Sequence, residues 1–391
     1  TWESLPSGRQ LWRLRVSGPD VLSLNLGFSR FWLPAGSRLL IYPAAGEGRI
    51  LAYDETDNAP HGQLWTPVLL TDEVVVELEI DPALRWQLEL ELTSVGRGYR
   101  FFGEDLEAKA GACNIDVICS QGDDWRDEIA SVAVYSLGGG TICTGWMTNN
   151  TAQDGRPYFM TAYHCNVRAN WAPSVVVYWN FESPECGMQG GGSYEDTQSG
   201  SVLRAEWATS DLTLLELDEV PDPAFGVKYA GWDRSDAVPT SAVAIHHPST
   251  DEKSISFEDD PLTVTSYKSN VSPGDGTHLR IGDWDEGTTE PGSSGSPLFN
   301  QDRYVVGQLH GGAAACGNNE PDWYGWFHVS WEGGGTDGSR LSNWLDPSGT
   351  GELTVETIDP FGASFGVSPA AGFESAGIVG GPFDPDQTVY T

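Results

Sequence analysis

The six cysteines divide this chain more sharply than any other feature. Cys113, Cys119, Cys143, Cys165, Cys186 and Cys316 all lie in its middle, with none in the first hundred residues or the last seventy. An even number with no CxxC pair reads as three disulfides in an exported chain, and it argues against zinc or any other metal. Spacing alone leaves the pairing open. The fold must therefore combine a cysteine-free front, a cross-linked middle and a cysteine-free tail.

Around this frame the composition is that of a mainly β protein. There are 47 glycines and 24 prolines, interleaved with short runs rich in Val, Ile, Trp and Tyr. In the front segment, Leu11–Val16, Val21–Phe31, Arg38–Tyr42, Leu64–Leu70, Glu73–Ile80 and Trp86–Thr93 read as strands. VVVELE at Val74–Glu79 alternates with period two, as a strand with one wet face does. These runs predict a small antiparallel β-sandwich. Its aromatic residues (Trp2, Trp12, Phe31, Trp32, Trp65, Trp86) are assigned to its core rather than to a carbohydrate platform. Further on, Val132–Tyr135, Ile142–Trp146, Tyr158–Ala162 and Val175–Trp179 are expected strands of a first barrel. A second barrel is expected over about 225–329, with a short closing helix at Ser339–Leu345. The chain opens at Thr1 with no apolar leader, so any targeting segment is expected to lie outside it.

Net charge is −35, from 56 acidic against 21 basic residues. That excludes nucleic acid as a partner, since nothing could neutralise phosphates. No apolar run is long enough to span a membrane. The excess of acid is read as a solubility device; a field drawing cationic substrates inward is the sharper alternative.

The chemistry-bearing stretch is Glu290–Asn300, EPGSSGSPLFN. Glycines let the backbone turn its N–H groups inward while Ser294 projects its hydroxyl into the hollow. A hydroxyl needs a base, and the base needs an orienting group. His164 ends the apolar run YFMTAYHC, and Asp211 opens the apolar run SDLTLLEL. A histidine beside a cysteine, an aspartate before a strand or a Gly-Ser-Ser-Gly turn is each ordinary alone. Together, in the order His164, Asp211, Ser294, they form a nucleophilic triad, in the chain order carried by double β-barrel enzymes. The N–H groups of Gly292 and Ser294 are the expected oxyanion donors.

At this point the sequence resembles a family. TAYHC, SDLTLLEL, EPGSSGSPLF and VVGQLHGG are similar to the bacterial lysyl endopeptidases, as are CNIDVIC, AGWDRSD, AIHHP and SNWLDP, over about residues 109–359. The resemblance implies a secreted, extracellular, monomeric serine protease of the trypsin fold, without cofactor, that cuts peptides and proteins after lysine. It implies the pairs Cys113–Cys316, Cys119–Cys186 and Cys143–Cys165. It also places Asp322, in PDWYG, at the base of the specificity pocket, where a buried carboxylate favours a compact ammonium over a broad guanidinium. His310 and Gly311 fall on the strand that pairs with substrate, and Tyr267 is carried over as an aromatic wall beside His310. His246 and His247 are read as structural.

Two departures from trypsin shape the expectations. Ser293 stands where trypsin has the aspartate that receives a new N-terminus, so activation by that ion pair is not expected. Thr288 stands where trypsin has its specificity acid, so the charge must come from Asp322, with Glu290 as fallback. Lys109 is one of four lysines and lies in a polar linker, which marks it as a self-processing site with Ala110 as the new N-terminus. The expected layout is 1–109 as a sandwich pro-domain with linker, 110–359 as the protease domain, and 360–391 as a Gly/Pro-rich tail opening a truncated module. The pro-domain is expected to assist folding or to block the cleft. The alternatives are a serine endopeptidase of arginine or other basic preference, or an inactive homologue that binds protein.

Overall fold

The computed structural model describes residues 1–98, 110–188 and 190–362. Lys109 and the tail beyond 362 lie outside the described residues, as does the rest of the linker from 99. The front segment forms two antiparallel sheets. One runs Trp2–Ser4, Gln10–Ser17, Glu73–Ile80, Arg38–Pro43, Leu51–Tyr53; the other runs Leu64–Trp65, Ser23–Trp32, Glu89–Gly98. Alternation explains their packing. Val74, Val76, Leu78, Leu39 and Ile41 point inward to meet Leu24, Leu26, Phe28 and Phe31 of the facing sheet.

Three expectations in this segment need correction. The run Leu64–Leu70 supplies only the strand Leu64–Trp65, because Pro67 cannot donate to a ladder. The run at Trp86–Thr93 starts late. Asp81 caps a 3-10 turn at Pro82–Gln87 by accepting from Ala83 N, and the strand begins at Glu89. Nor are all the aromatics core: Phe31 and Trp65 are buried, but Trp32 and Trp86 are 45% and 81% exposed.

The middle of the chain forms a trypsin-like double β-barrel from two curled sheets. The first has the order Thr197–Ser199, Val175–Tyr178, Val132–Leu137, Thr141–Met147, Tyr158–Ala162, Leu212–Leu217, Ser201–Trp207. The second contains Thr263–Thr265, His278–Ile281, Asp322–Trp326, Val305–Gly312, Pro297–Asn300, Ala242–His246 and Ser254–Glu258. Ile115–Asp116 closes its edge. The domain thus starts on its rear lobe, with Asp116 opposite Ser254. A shared core of Trp146, Tyr158, Leu214, Trp232, Phe299, Phe327 and Trp331 fastens the lobes together. The closing helix is shorter than expected, Ser342–Leu345 after a 3-10 turn at Asp337–Ser339.

The sandwich rests on the first barrel. Arg49 donates to Tyr194 O and Thr197 Oγ1, both at 2.9 Å, and His61 Nε2 meets Asp218 Oδ2 at 2.7 Å. Trp65 joins Val134, Val176, Tyr178 and Phe181 in a small apolar cluster. These contacts fall on the outer face of the first barrel and include none of His164, Ser294 and Asp322.

Candidate active site

The strand Tyr158–Ala162 runs into a single 3-10 turn, Tyr163–Cys165, that turns His164 outward. Its neighbour in the sheet, Leu212–Leu217, begins directly after Asp211, which sits at φ +57°. That left-handed conformation lets one carboxylate grip the histidine twice. Oδ1 accepts from His164 N at 2.9 Å, and Oδ2 lies 2.8 Å from His164 Nδ1. Asp211 is buried; burial pushes its carboxyl upward, against the pull of the His164 hydrogen bonds and the Arg168 charge. The preceding Ser210 locks this corner to the rear lobe. Its hydroxyl is 2.8 Å from Ser330 Oγ, and its carbonyl accepts from Gln308 Nε2 at 2.6 Å. A Cβ on Gly325 would collide with that carbonyl, so the close approach of the lobes requires glycine there.

The loop bearing Ser294 is stitched to the same strand end. Thr144 N donates to Ser294 O at 2.9 Å, and Cys165 Sγ lies 3.9 Å from that oxygen. Gly295, at φ +81°, passes too close to Thr161 Oγ1 and Ala162 N to carry a side chain. Among the described residues His164 and Ser294 share no direct hydrogen bond; the loop is tied to the histidine's segment through its backbone. Within the loop, the N–H groups of Ser293, Gly295 and Ser296 are spent on Glu290 O, Leu309 O and Ser293 O. Those of Gly292 and Ser294 are donated to no group among the described residues. Gly292 sits at φ +100°, and its carbonyl accepts from Thr144 Oγ1 at 2.9 Å.

Behind the histidine lies a stack of rings. His310 parallels His164 at 5.4 Å between centroids, and Tyr267 parallels His310 at 3.5 Å. His310 Nδ1 is 2.9 Å from His278 Nε2, whose Nδ1 is 2.7 Å from Thr277 Oγ1, and Thr277 donates to Asp275. With the threonine proton committed to Asp275, His278 carries its proton on Nδ1 and accepts from His310 on Nε2. His310 therefore holds its proton on Nδ1 and presents a bare Nε2, 3.8 Å from Asp211 Oδ1. Burial pushes His310 down to about 3 and His278 down to about 4, so both stay neutral. His278 was not singled out from the sequence, because a lone His in HLRI carries no spacing signal. His164, Asp211 and His310 are also the one group of ligating side chains within 4.8 Å among the described residues; the His164 Nδ1 in it is engaged by Asp211 and the His310 Nδ1 by His278.

Asp322 opens the strand Asp322–Trp326 and is 1% exposed. Its Oδ2 accepts from Thr289 Oγ1 at 2.6 Å and Trp284 Nε1 at 2.9 Å, while its Oδ1 lies against Gly312. It is thus walled by the segment before the Ser294 loop and the strand carrying His310 and Gly311. Burial pushes its carboxyl upward, partly offset by those donors. Glu290 points elsewhere, to Gly111 N at 3.0 Å and Ser249 Oγ at 2.6 Å. Disulfides join Cys113 to Cys316, Cys119 to Cys186 and Cys143 to Cys165, the last directly beside His164. His246 and His247 are fully buried and held low by burial.

Comparison with known proteins points to one family. The lysyl endopeptidase C-terminal domain model matches residues 108–325. The lysyl endopeptidase of Pseudomonas aeruginosa is 29% identical over 348 residues, 81% of this chain and 72% of that protein. Among solved structures, a serine endoprotease from Yersinia pestis is 14% identical over 54% of this chain and 64% of its own, with TM-score 0.34. A protease from M. tuberculosis in its active form is 16% identical over 52% and 78%, with TM-score 0.32. The family match spans more than half of the 391 residues, and the chain accordingly belongs to the lysyl endopeptidase family, as a serine endopeptidase.

Proposed function

We propose that the protein hydrolyses peptide bonds on the carboxyl side of lysine, with His164, Asp211 and Ser294 as its triad. His164 takes the proton of Ser294 as Oγ attacks the carbonyl, then returns it to the leaving amine; water repeats the cycle on the acyl-enzyme. Asp211 holds the imidazole in the tautomer with Nδ1–H and stabilises the imidazolium. The neutral His310 ring, stacked alongside, adds no positive charge to repel that imidazolium. The N–H groups of Gly292 and Ser294 receive the oxyanion, each worth about 10²–10³ in rate. Gly311 and the rest of the Val305–Gly312 strand pair with the substrate backbone, and Tyr267 walls the pocket.

The observation that carries the lysine preference is the buried carboxylate of Asp322, with its orientation set by Thr289 and Trp284. A buried negative charge held by neutral donors alone is costly unless a cation arrives. An ammonium satisfies it as a point charge, whereas the wider guanidinium needs a fork of acceptors. The test is kcat/KM on two peptides differing only in Lys or Arg. Wild type is expected to favour lysine strongly, and Asp322→Asn is expected to lose that preference while still reacting with an active-site acylating ester. Equal selectivity in the variant would discard the assignment.

The precursor is read as cleaving itself after Lys109, leaving Ala110 first. The sandwich, seated on the outer wall of the first barrel, then serves as a folding aid rather than a plug in the cleft. Three disulfides suit an oxidising, extracellular setting.

A further inference from the structure

Ala110, the residue that would become first, lies over a buried acidic recess. Its N is 3.0 Å from Asp251 Oδ2. Asp251 and Glu252 are 2% and 4% exposed, and Asp116 closes the same cavity with Asn114, Gly187 and Ser254. Three carboxyl groups thus share one enclosure. No cation among the described residues faces Asp251, Glu252 or Asp116. The neighbouring Lys253 turns away to Glu182 Oε1 at 2.7 Å and Ile129 O at 3.0 Å. Burial, the hydrogen bond shared with the Glu252 carboxyl and that group's charge push Asp251 up to about 7, so the two acids share a proton and no cation.

We propose that this recess is a receptor site for a primary ammonium, and that its ligand is the α-amino group created at Ala110 when the chain is processed. The inference rests on the processing read above. Hydrolysis adds water across the Lys109–Ala110 bond; the acyl carbon leaves as the carboxylate of Lys109, and the amide nitrogen becomes an amine that takes up a proton. A neutral N–H donor beside Asp251 becomes a full positive charge at the same place, so a weak hydrogen bond becomes a buried ion pair.

The gain reaches the catalytic loop because Asp251 ends the loop on which that loop rests. Residues Ser249 and Thr250 are both left-handed, at φ +51° and +62°, and a Cβ on Gly292 would lie 2.6 Å from Thr250 N and 2.9 Å from His247 O. Ser249 Oγ binds Glu290 Oε2 at 2.6 Å, and Gly111 N binds Glu290 Oε1 at 3.0 Å. Glu290 N in turn donates to Ser293 Oγ at 3.2 Å, and Ser293 Oγ lies 2.8 Å from His246 Nδ1. Anchoring the new terminus on Asp251 therefore fixes two segments, 110–111 beside Glu290 and 247–251 beside Gly292. Ser293 carries no charge to receive the terminus, and Asp251 takes that part.

The test uses full-length chains in which the residues before Ala110 are replaced by the recognition sequence of an unrelated endopeptidase. One chain is cut directly before Ala110, and a second leaves one extra glycine, which moves the ammonium about 3.5 Å away. The expected result is a loss of at least tenfold in kcat/KM from the extra glycine. Asp251→Asn should show a similar loss, to which the glycine then adds less than twofold. Equal activity with and without the glycine overturns the site, and this comparison needs no side-chain substitution that could spoil folding. Sequencing the wild-type mature chain separates the two readings. A start other than Ala110 sinks the processing and the site together; a start at Ala110 without a glycine effect sinks the site alone.

Discussion

At the scale of single residues, the buried histidines show how much the site depends on neutral rings. Ser256 Oγ donates to Thr288 O at 2.8 Å, so it accepts from His246 Nε2 at 3.0 Å. The Nδ1 of His246 is then a bare acceptor for the Ser293 hydroxyl. Burial holds this ring down to about 3, whereas an unfolded histidine takes a proton near 6.5. Between those values the unfolded chain binds the extra proton, so stability is lost as pH falls through the window. His246→Gln is therefore expected to flatten the dependence of unfolding free energy on pH over that range by up to about 1.4 kcal/mol per pH unit. Parallel slopes for wild type and variant, from denaturant titrations at several pH values, would contradict this.

At the scale of elements, most of what positions the chemistry was legible because it is local. Strands Tyr158–Ala162 and Leu212–Leu217 are apolar runs bounded by a polar residue, His164 just after the first and Asp211 just before the second. Strand Glu73–Ile80 could be delimited because its inward and outward faces alternate without a break. What stayed hidden depends on contacts far apart in sequence. The Asp275–Thr277–His278–His310 relay crosses between strands His278–Ile281 and Val305–Gly312. Asp251 is unremarkable in PSTDEK until Ala110 is laid across it. The Cys143–Cys165 bridge shows the value of a local staple. It ties strand Thr141–Met147, which also holds Ser294 O through Thr144 N, to the turn bearing His164. Replacing both cysteines by alanine is expected to lower stability by roughly 2–4 kcal/mol and to lower kcat more than it raises KM. A variant as stable and as fast as wild type would show the staple to be dispensable.

At the scale of the whole molecule, the proposed triad is divided between two lobes, and the lobes share one apolar core that includes Trp146, Trp232 and Trp331. That division explains why His164 and Ser294 lie so far apart in the chain. The sandwich adds a third body, joined to the first barrel by Arg49, by the His61–Asp218 pair and by Trp65. If it acts as a folding aid, Arg49→Ala should reduce the yield of soluble precursor while leaving kcat/KM of the processed enzyme unchanged. Expression yield and active-site titration measure the two separately; a fall in specific activity with normal yield would contradict the reading.

The central claim is that one serine, activated by a histidine from the other lobe, is the nucleophile. It is tested most directly by treating the processed enzyme with a serine-phosphonylating reagent and locating the adduct by mass spectrometry. The account predicts one equivalent on Ser294, abolished in Ser294→Ala and slowed by orders of magnitude in His164→Ala. Incorporation at another serine, or undiminished labelling without His164, would contradict it.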